Sequence, residues 1–203
     1  MNLEKVCTSP VKMKIYLASK SPRRAHLLDQ IGIEFETLSI EVDETWDGRE
    51  PATKYVCRLA FEKAQAGFTS LEEASDAMVI GADTAVVLDQ IILGKANNPD
   101  EALTILKSLS GRTHQVYTAV SVVSYKRSET LINVSQVSFK PLTDDEIKKY
   151  AESGEPLGKA GGYAIQGNAA AFISRLDGSY SGVMGLPVFE LYELLQDFRQ
   201  NPK

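Results

Sequence analysis

One stretch of the chain sets the expected fold: residues 15–32 read IYLASKSPRRAHLLDQIG. The apolar run at its start is typical of a buried strand. Ser21 and Pro22 then favour a helix start, with the serine as N-cap and the proline at the first helical position. Leu27, Leu28 and Ile31 form the apolar face of this helix, and Gly32 ends it. The stretch therefore predicts a strand, a tight turn and a helix.

The rest of the chain continues this alternation of strands and helices. A short apolar run at residues 78–82 predicts a buried strand that ends at Asp83 and Thr84. The other predicted strands are 35–42, 85–88, 91–93, 113–125, 130–139 and 171–176, and the predicted helices are 51–68, 99–109, 143–153 and one after Pro187. Such an alternation is typical of the α/β class.

Length and composition favour one folded domain. The chain has 203 residues, which is enough to bury a sizeable core without disulfides or a structural metal. Hydrophobic residues make up 43% and charged residues 24%, so neither disorder nor a fibre is favoured. Residues 1–12 show no clear periodicity. We expect them to form a flexible N-terminal extension before a single domain that spans residues 13–203.

Net charge, cysteine content and hydropathy indicate which binding partners and which cellular compartment to expect. The net charge of -5 argues against general nucleic-acid binding. No stretch has the apolar length needed to span a bilayer, and the N-terminus lacks the pattern of a secretory signal. Cys7 and Cys57 are isolated and form no metal-binding motif. These features predict a cytoplasmic protein that binds neither nucleic acid nor membranes.

The turn after the first strand, residues 18–24 (ASKSPRR), has the features of an anion site. Backbone N–H groups at a helix start attract anions, and the guanidinium groups of Arg23 and Arg24 add paired donors for phosphate oxygens. The alternative is an ordinary surface helix with two solvated arginines. On these residues alone the two interpretations carry equal weight.

Three further residues bear on this choice. Lys63 continues the apolar stripe of its helix, so it either extends outward to solvent or points into an anion-filled cleft. Asp83 ends its predicted strand, which places the carboxylate at the edge of the sheet where α/β proteins commonly have their active sites. The alternative is a turn residue that bonds a neighbouring backbone N–H. Lys95 follows Gly94 in a predicted turn, where most lysines are simply solvated.

Cleavage of a phosphoanhydride requires cations around the phosphates and carboxylates that hold a divalent metal or orient water. The residues that together meet this requirement are Arg23, Arg24, Lys63, Lys95, Glu44 and Asp83. The chain has no GxxxxGK(S/T) loop and no GxGxxG motif, which excludes P-loop chemistry and a dinucleotide fold. Neither Ser19 nor Ser21 lies in a GxSxG motif, so a serine hydrolase is disfavoured.

Taken in order, these motifs resemble those of the Maf family of nucleotide pyrophosphatases. The opening signature is LASKSPRR at residues 17–24. The other matching segments are RLA at 58–60, KA at 63–64, GADT at 81–84, LGK at 93–95, LSG at 109–111, GYAIQG at 162–167, GSY at 178–180 and GLP at 185–187. The resemblance covers residues 14 to about 198, and the ordered series is more specific than any single motif.

The resemblance implies a fold, an activity and a cofactor. The expected fold is α/β, a mixed twisted sheet with flanking helices in two lobes around a central nucleotide cleft, similar to inosine triphosphatase. The expected activity is hydrolysis of dTTP and UTP, or of modified pyrimidine nucleotides, to the monophosphate and pyrophosphate. Water would attack the α-phosphorus with the help of a divalent cation, Mg²⁺ or Mn²⁺.

The resemblance also implies roles for single residues. Asp83 is similar to the family's proton acceptor. The matched specificity positions are Arg23, Thr84 and Gln166; the phosphate-binding positions are Ser19, Arg23, Arg24, Lys63 and Lys95; and the metal positions are Glu44 and Asp83. A glutamine amide presents both a donor and an acceptor to a pyrimidine edge. One departure is Ala96, where the family commonly has proline, and we expect it to loosen the loop that carries Lys95.

Two alternatives stay open. The first is a non-catalytic protein that senses a nucleotide or regulates cell division. Asp83 argues against it, because a protein that only binds a triphosphate has no use for a carboxylate that faces the phosphates. The second is an inosine or xanthosine triphosphatase, which lacks the SxSPRR opening. The sequence also leaves open whether the chain forms a homodimer.

Overall fold

The computed structural model describes residues 13–201, which form a seven-stranded mixed sheet with helices on both faces. The strands are β1 Lys14–Ala18, β2 Glu36–Leu38, β3 Ala77–Leu88, β4 Ile91–Leu93, β5 Thr113–Ser124, β6 Ser128–Phe139 and β7 Ile173–Asp177. The helices are α1 Pro22–Gln30, α2 Ala52–Thr69, α3 Pro99–Leu109, α4 Asp144–Glu152, α5 Tyr180–Met184 and α6 Val188–Gln200, with a 3₁₀ helix at Asn168–Phe172. The predicted α/β class is confirmed. The expected N-terminal extension, residues 1–12, lies outside the described residues.

The sheet combines parallel and antiparallel pairing. Its strand order is β2-β1-β3-β5-β6-β7, and β4 pairs with β3. Strand β1 runs parallel to both β2 and β3. All other pairs are antiparallel. The connections explain this pattern, because α1 and α2 each return the chain for a parallel strand, whereas short turns join β3 to β4 and β5 to β6.

The strand, turn and helix predicted for residues 15–32 are present as β1 and α1. Ser21 is the N-cap of α1 and Pro22 its first residue, as predicted, but the serine side chain makes no capping bond. Instead the Ser21 N–H donates to Ser19 Oγ at 3.2 Å. Leu27 and Leu28 are buried, which fixes the helix against the core and leaves its first turn facing the cleft described below.

Strand β3 is longer than predicted, and this corrects the expected position of Asp83. The strand does not end at residue 82 but runs from Ala77 to Leu88, so Asp83 lies in its middle. The reason is β5, which pairs with β3 continuously from residue 78 to 87. On the opposite edge, β1 pairs with residues 77–80 and β4 with residues 86–88. Among the described strands none covers that edge between them, and the gap places Asp83 at an open edge inside the sheet.

Helix α2 packs closely on the face of β3 that carries Asp83. A Cβ at Gly81 would overlap the Ala60 carbonyl oxygen, so only glycine permits this approach. Val56, Ala60 and Ala85 form a small buried cluster on the same face. Because side chains alternate along a strand, Asp83 points to the helix face, and Lys63 follows Ala60 by about one turn. The packing therefore brings Lys63 and Asp83 together.

Three other elements differ from the sequence-based expectations. Strand β2 spans only residues 36–38 rather than 35–42, because it pairs with three residues of β1 alone. Strand β7 begins at residue 173 rather than 171, since residues 168–172 form the 3₁₀ helix. Helix α5 was not predicted; its N-cap Ser179 accepts a hydrogen bond from the Gly182 N–H.

The main core lies on the opposite face of the sheet from α2. Leu106 and Leu109 of α3 and Leu191 and Leu195 of α6 are buried there, together with apolar residues of β3 and β5. This core fixes the elements from which the polar residues project. None of the helices within residues 13–201 is long and apolar enough to cross a membrane.

Candidate active site

A cleft opens at the gap in the sheet edge beside β3. It has a volume of about 310 Å³ and is lined by α1, α2, β3, the turn after β4 and the glycine-rich loop 158–167. All nine residues expected at the site line this cleft: Ser19, Arg23, Arg24, Glu44, Lys63, Asp83, Thr84, Lys95 and Gln166. The fold therefore gathers residues that are up to 147 positions apart in the chain, from 19 to 166.

The two arginines of α1 are half-buried at the cleft and are held by backbone carbonyls. Arg24 donates from Nε to the Gly185 carbonyl at 2.7 Å and from Nη1 to Ser19 Oγ at 3.2 Å. Arg23 donates from Nε to the Met184 carbonyl at 3.4 Å. Burial lowers the pKa of both guanidinium groups from the ordinary value of 12.5. They stay charged at neutral pH, and their remaining N–H groups suit an anion.

Two lysines and two carboxylates form a continuous ion-pair network across the cleft. Lys63 Nζ lies 2.7 Å from Asp83 Oδ1 and 2.6 Å from Glu44 Oε1, and Lys95 Nζ lies 2.5 Å from Glu44 Oε2. The side chains of Lys63 and Asp83 are only 12% and 8% exposed. Lys63 thus points into the cleft rather than outward to solvent. These four residues are called the ion-pair network below.

The network fixes the ionisation of Glu44. Partial burial on its own would raise the pKa of the Glu44 carboxyl, but hydrogen bonds from Lys63 and Lys95 outweigh it and lower the pKa to about 2. Glu44 is therefore a carboxylate at every pH near neutrality. It is a permanent negative charge next to Asp83, and Lys63 lies between the two groups.

Thr84 and Gln166 line other parts of the cleft. Thr84 points to the face of the sheet opposite Asp83, where its Oγ1 lies 3.1 Å from Thr118 Oγ1. Thr118 also donates to the Gly182 carbonyl of α5 at 2.7 Å, which ties this part of the cleft to the helix. Gln166 is exposed in the glycine-rich loop, and its side chain makes no hydrogen bond within residues 13–201. Its amide is free to meet a ligand.

The turn that carries Lys95 is tied to the glycine-rich loop by its backbone. The Gly158 N–H donates to the Ala96 carbonyl at 2.9 Å, and the Gly161 N–H donates to the Gly94 carbonyl at 3.1 Å. Ala96 is itself fully buried. The substitution of alanine for proline at residue 96 was expected to loosen this turn, and these two backbone hydrogen bonds restrain it instead.

Lys159 is a cleft residue that the sequence did not single out. Its ammonium group donates to the Glu155 carbonyl, and within the described chain it lies in no ion pair with a carboxylate. Burial, and then the nearby charge of Arg23, lower the pKa of Lys159. The only available signal was a lysine within the run Gly158 to Gly162, which is weak because most loop lysines are solvated.

The carboxylates also allow a test of whether a divalent cation fits. Among residues 13–201 no group of three or more His, Cys, Asp or Glu side chains surrounds one point. Glu44 and Asp83, however, both approach the same ammonium group and so converge on one positive centre. Mg²⁺ in proteins is commonly held by one or two carboxylates together with phosphate oxygens and water. The donor set therefore fits a cation that binds together with a phosphorylated ligand.

Comparison with known proteins identifies a family and several relatives. The model of the family described as "Maf-like protein" matches residues 14–198. A dTTP/UTP pyrophosphatase of Aromatoleum aromaticum is 48% identical over 93% of this chain and 97% of its own length. A dTTP/UTP pyrophosphatase of Alkalilimnicola ehrlichii is 50% identical, covering 91% of this chain and 92% of its own. Among solved structures, the Staphylococcus aureus Ham1 protein covers 94% of this chain and 100% of its own, with 12% identity and a TM-score of 0.46.

Proposed function

The chain belongs to the Maf family, and we propose that it acts at this cleft as a dTTP/UTP pyrophosphatase. Relatives that carry this name are 48–50% identical to it over more than nine tenths of its length. The reaction consumes one water and one nucleoside triphosphate and releases the monophosphate and pyrophosphate. The bond that breaks joins the α-phosphorus to the oxygen that bridges it to the β-phosphorus. The oxygen of water forms the new bond to the α-phosphorus.

The observation that carries this mechanism is the hydrogen bonding of the Asp83 carboxylate. Lys63 donates to Oδ1, whereas Oδ2 accepts no hydrogen bond from any described residue. A group held on one oxygen and free on the other can orient a water and accept its proton as the water attacks. Asp83 is also buried on a central strand, so its position varies little. We therefore assign Asp83 as the proton acceptor.

The cations around Asp83 would bind the triphosphate. Arg23 and Arg24 offer guanidinium donors from the first turn of α1, and Ser19 lies beside them with its hydroxyl bonded to Arg24. Lys63 and Lys95 approach from α2 and the turn after β4. Positive groups that are already in place stabilise the charge that develops on the phosphate oxygens without a reorganisation of the site.

A divalent cation, Mg²⁺ or Mn²⁺, fits the same proposal. Glu44 and Asp83 would hold it, since both are anionic and converge on one centre. When bound, the cation supplies Lewis-acid polarisation of phosphate oxygens. Lys63 then remains the group that orients Asp83 and offsets the repulsion between the two carboxylates.

Selection of the base would fall to Arg23, Thr84 and Gln166. Thr84 and Gln166 present a hydroxyl and an amide to the cleft from two different elements. A site built to hydrogen-bond one base rejects another that leaves its polar groups unpaired.

We also propose that the protein is cytoplasmic. Its two cysteines are isolated in the sequence, and thiols in the cytoplasm stay reduced, which supports this location.

The test is a measurement of pyrophosphate release across a panel of nucleoside triphosphates with Mg²⁺ or Mn²⁺. We expect kcat/KM to be clearly higher for dTTP and UTP than for ATP, GTP and 7-methyl-GTP, with the monophosphate as the second product. Release of orthophosphate and a diphosphate would refute attack at the α-phosphorus. Preference for a purine would refute the proposed base selection.

A further inference from the structure

The short segment 164–169 carries Gln166, and its position is set by contacts outside the cleft. Gln166 has no side-chain partner within residues 13–201, so its place depends on the backbone that bears it. That backbone does not lie in a strand or an α-helix; it is a turn that leads into the 3₁₀ helix. Groups that hold the two ends of this turn therefore decide where the amide of Gln166 lies.

The end after Gln166 is held by the Glu155 carboxylate. Oε2 of Glu155 accepts from the Asn168 N–H at 3.0 Å, and Oε1 accepts from the Ala169 N–H at 3.5 Å. These are unpaired donors at the start of the 3₁₀ helix. A Cβ at Gly167 would overlap the same carboxylate, so the glycine permits the close approach.

The end before Gln166 is held by the same carboxylate through Tyr150. The Tyr150 hydroxyl donates to Glu155 Oε1 at 2.8 Å and accepts from the Ala164 N–H at 3.2 Å. Its ring packs edge-to-face against Phe172, with the ring centroids 5.2 Å apart. Burial, and then the bond to Glu155, raise the pKa of Tyr150, so its hydroxyl stays a donor in the neutral range. One carboxylate thus fixes both ends of the segment.

We infer that Glu155 is a positioning residue for base selection: it fixes the segment 164–169 and thereby the amide of Gln166. Glu155 is absent from the lining of the cleft, so it acts through Gln166 and not by contact with the nucleotide. The inference rests on the proposed function, because it assumes that Gln166 meets the base. A displacement of about 1 Å in such a group is enough to reduce selectivity strongly.

The decisive variants are Glu155→Gln, Gln166→Leu and the double variant. Glutamine keeps one acceptor oxygen but points an NH₂ group at a backbone N–H or at Tyr150, so one anchor is lost. The backbone carbonyl that Lys159 contacts is unaffected. Tyr150→Phe is a second route to the same loss, because it removes the hydroxyl that holds Ala164 without a change of charge. Together these variants separate the loss of an anchor from a change in the electrostatic field of the cleft.

The control is Glu146→Gln. Glu146 is also a carboxylate that accepts from a backbone N–H, that of Thr143 at the start of α4, but it is not part of the cleft lining. It therefore reports what the loss of a capping carboxylate does to stability alone. Thermal melting of every variant shows whether it folds.

The readout is the ratio of kcat/KM for dTTP to that for dATP, two substrates that share the sugar and the triphosphate. We expect Glu155→Gln and Tyr150→Phe to lower this ratio about tenfold while kcat for dTTP changes less than about threefold. Glu146→Gln should leave the ratio unchanged. In the Gln166→Leu background, Glu155→Gln should have no further effect on the ratio, because the two residues act as one unit.

The outcomes distinguish this inference from the proposed function. A wild-type protein without a preference for dTTP would refute the proposed base selection itself. If the wild type is selective and Gln166→Leu abolishes selectivity, but folded Glu155→Gln and Tyr150→Phe remain fully selective, the positioning role alone is refuted. Additive losses in the double variant would likewise show that Glu155 does not act through Gln166.

Discussion

Replacement of Asp83 by asparagine is the sharpest test of the proposed proton acceptor. The two side chains have nearly the same shape, and the asparagine oxygen can still accept from Lys63, which lies 2.7 Å from Asp83 Oδ1. The variant loses the negative charge and the ability to take a proton. We expect kcat to fall about a hundredfold or more, which corresponds to about 2.7 kcal/mol in the activation free energy.

The cost to stability should be smaller than the cost to catalysis. Removing one partner from a buried ion pair commonly costs about 3–5 kcal/mol, because the other charge is left alone. Here Lys63 keeps Glu44 as a partner at 2.6 Å, so its charge stays compensated. We expect a loss of about 1–2 kcal/mol in the free energy of unfolding, because the hydrogen bond from Lys63 is kept but is weaker without the negative charge.

The assay combines pyrophosphate release, calorimetric binding of dTTP and thermal melting. Asp177→Asn is the matched control, since Asp177 also lies in a strand and forms an ion pair, with Arg175, but does not line the cleft. It should keep the wild-type kcat. A folded Asp83→Asn protein with turnover within tenfold of wild type would show that another group accepts the proton.

Four further outcomes follow from the cleft. Lys159→Ala should raise KM for dTTP about tenfold with a smaller effect on kcat, because we expect its ammonium group to bind the phosphates before the reaction; an unchanged KM in steady-state kinetics would contradict this. Arg24→Lys should lose about tenfold or more in kcat/KM, because the single nitrogen of an ammonium lacks the separated N–H groups with which the guanidinium bonds Gly185 and Ser19; full activity would argue against a fixed role. The depressed pKa of Glu44, about 2 against an ordinary 4.5, contributes stability that is present above pH 4.5 and lost as pH falls toward 2. Melting curves of Glu44→Gln and wild type should therefore differ at pH 7 and converge at low pH, and a constant difference would contradict the ion-pair explanation. In EDTA, Asp83→Asn should bind dTTP more tightly than wild type by calorimetry, because the loss of one negative charge leaves the ion-pair network with a net positive charge; weaker binding would oppose this electrostatic account.

The sequence predicted local elements well because their causes are local. The start of α1 follows from Ser21 and Pro22, and the start of α4 is fixed by a capping box of Thr143 and Glu146, two residues at the beginning of the predicted helix 143–153. Each signal lies within a few residues of the element that it begins. The same holds for the hairpin at residues 89–90, where the positive φ angles suit a tight turn.

What the sequence could not predict depends on partners far away in the chain. Asp83 and Thr84 are polar residues after an apolar run, which is typical of a strand end, yet β5 holds them within a twelve-residue strand. The 3₁₀ helix likewise depends on Glu155, more than ten residues before it. Resemblance to a family identified the cleft residues, but only the three-dimensional arrangement shows that Lys63 joins Asp83 to Glu44.

The charges of the cleft divide into two groups with different tasks. The ion-pair network contains two lysines and two carboxylates, so its formal charges cancel. Arg23, Arg24 and Lys159 form no ion pair with any described carboxylate, and they give the cleft a local positive charge in a protein with a net charge of -5. Unpaired cations attract a triphosphate at long range, whereas a neutral network does not repel it. The network can therefore keep a carboxylate close to the reacting phosphorus without opposing the entry of the substrate.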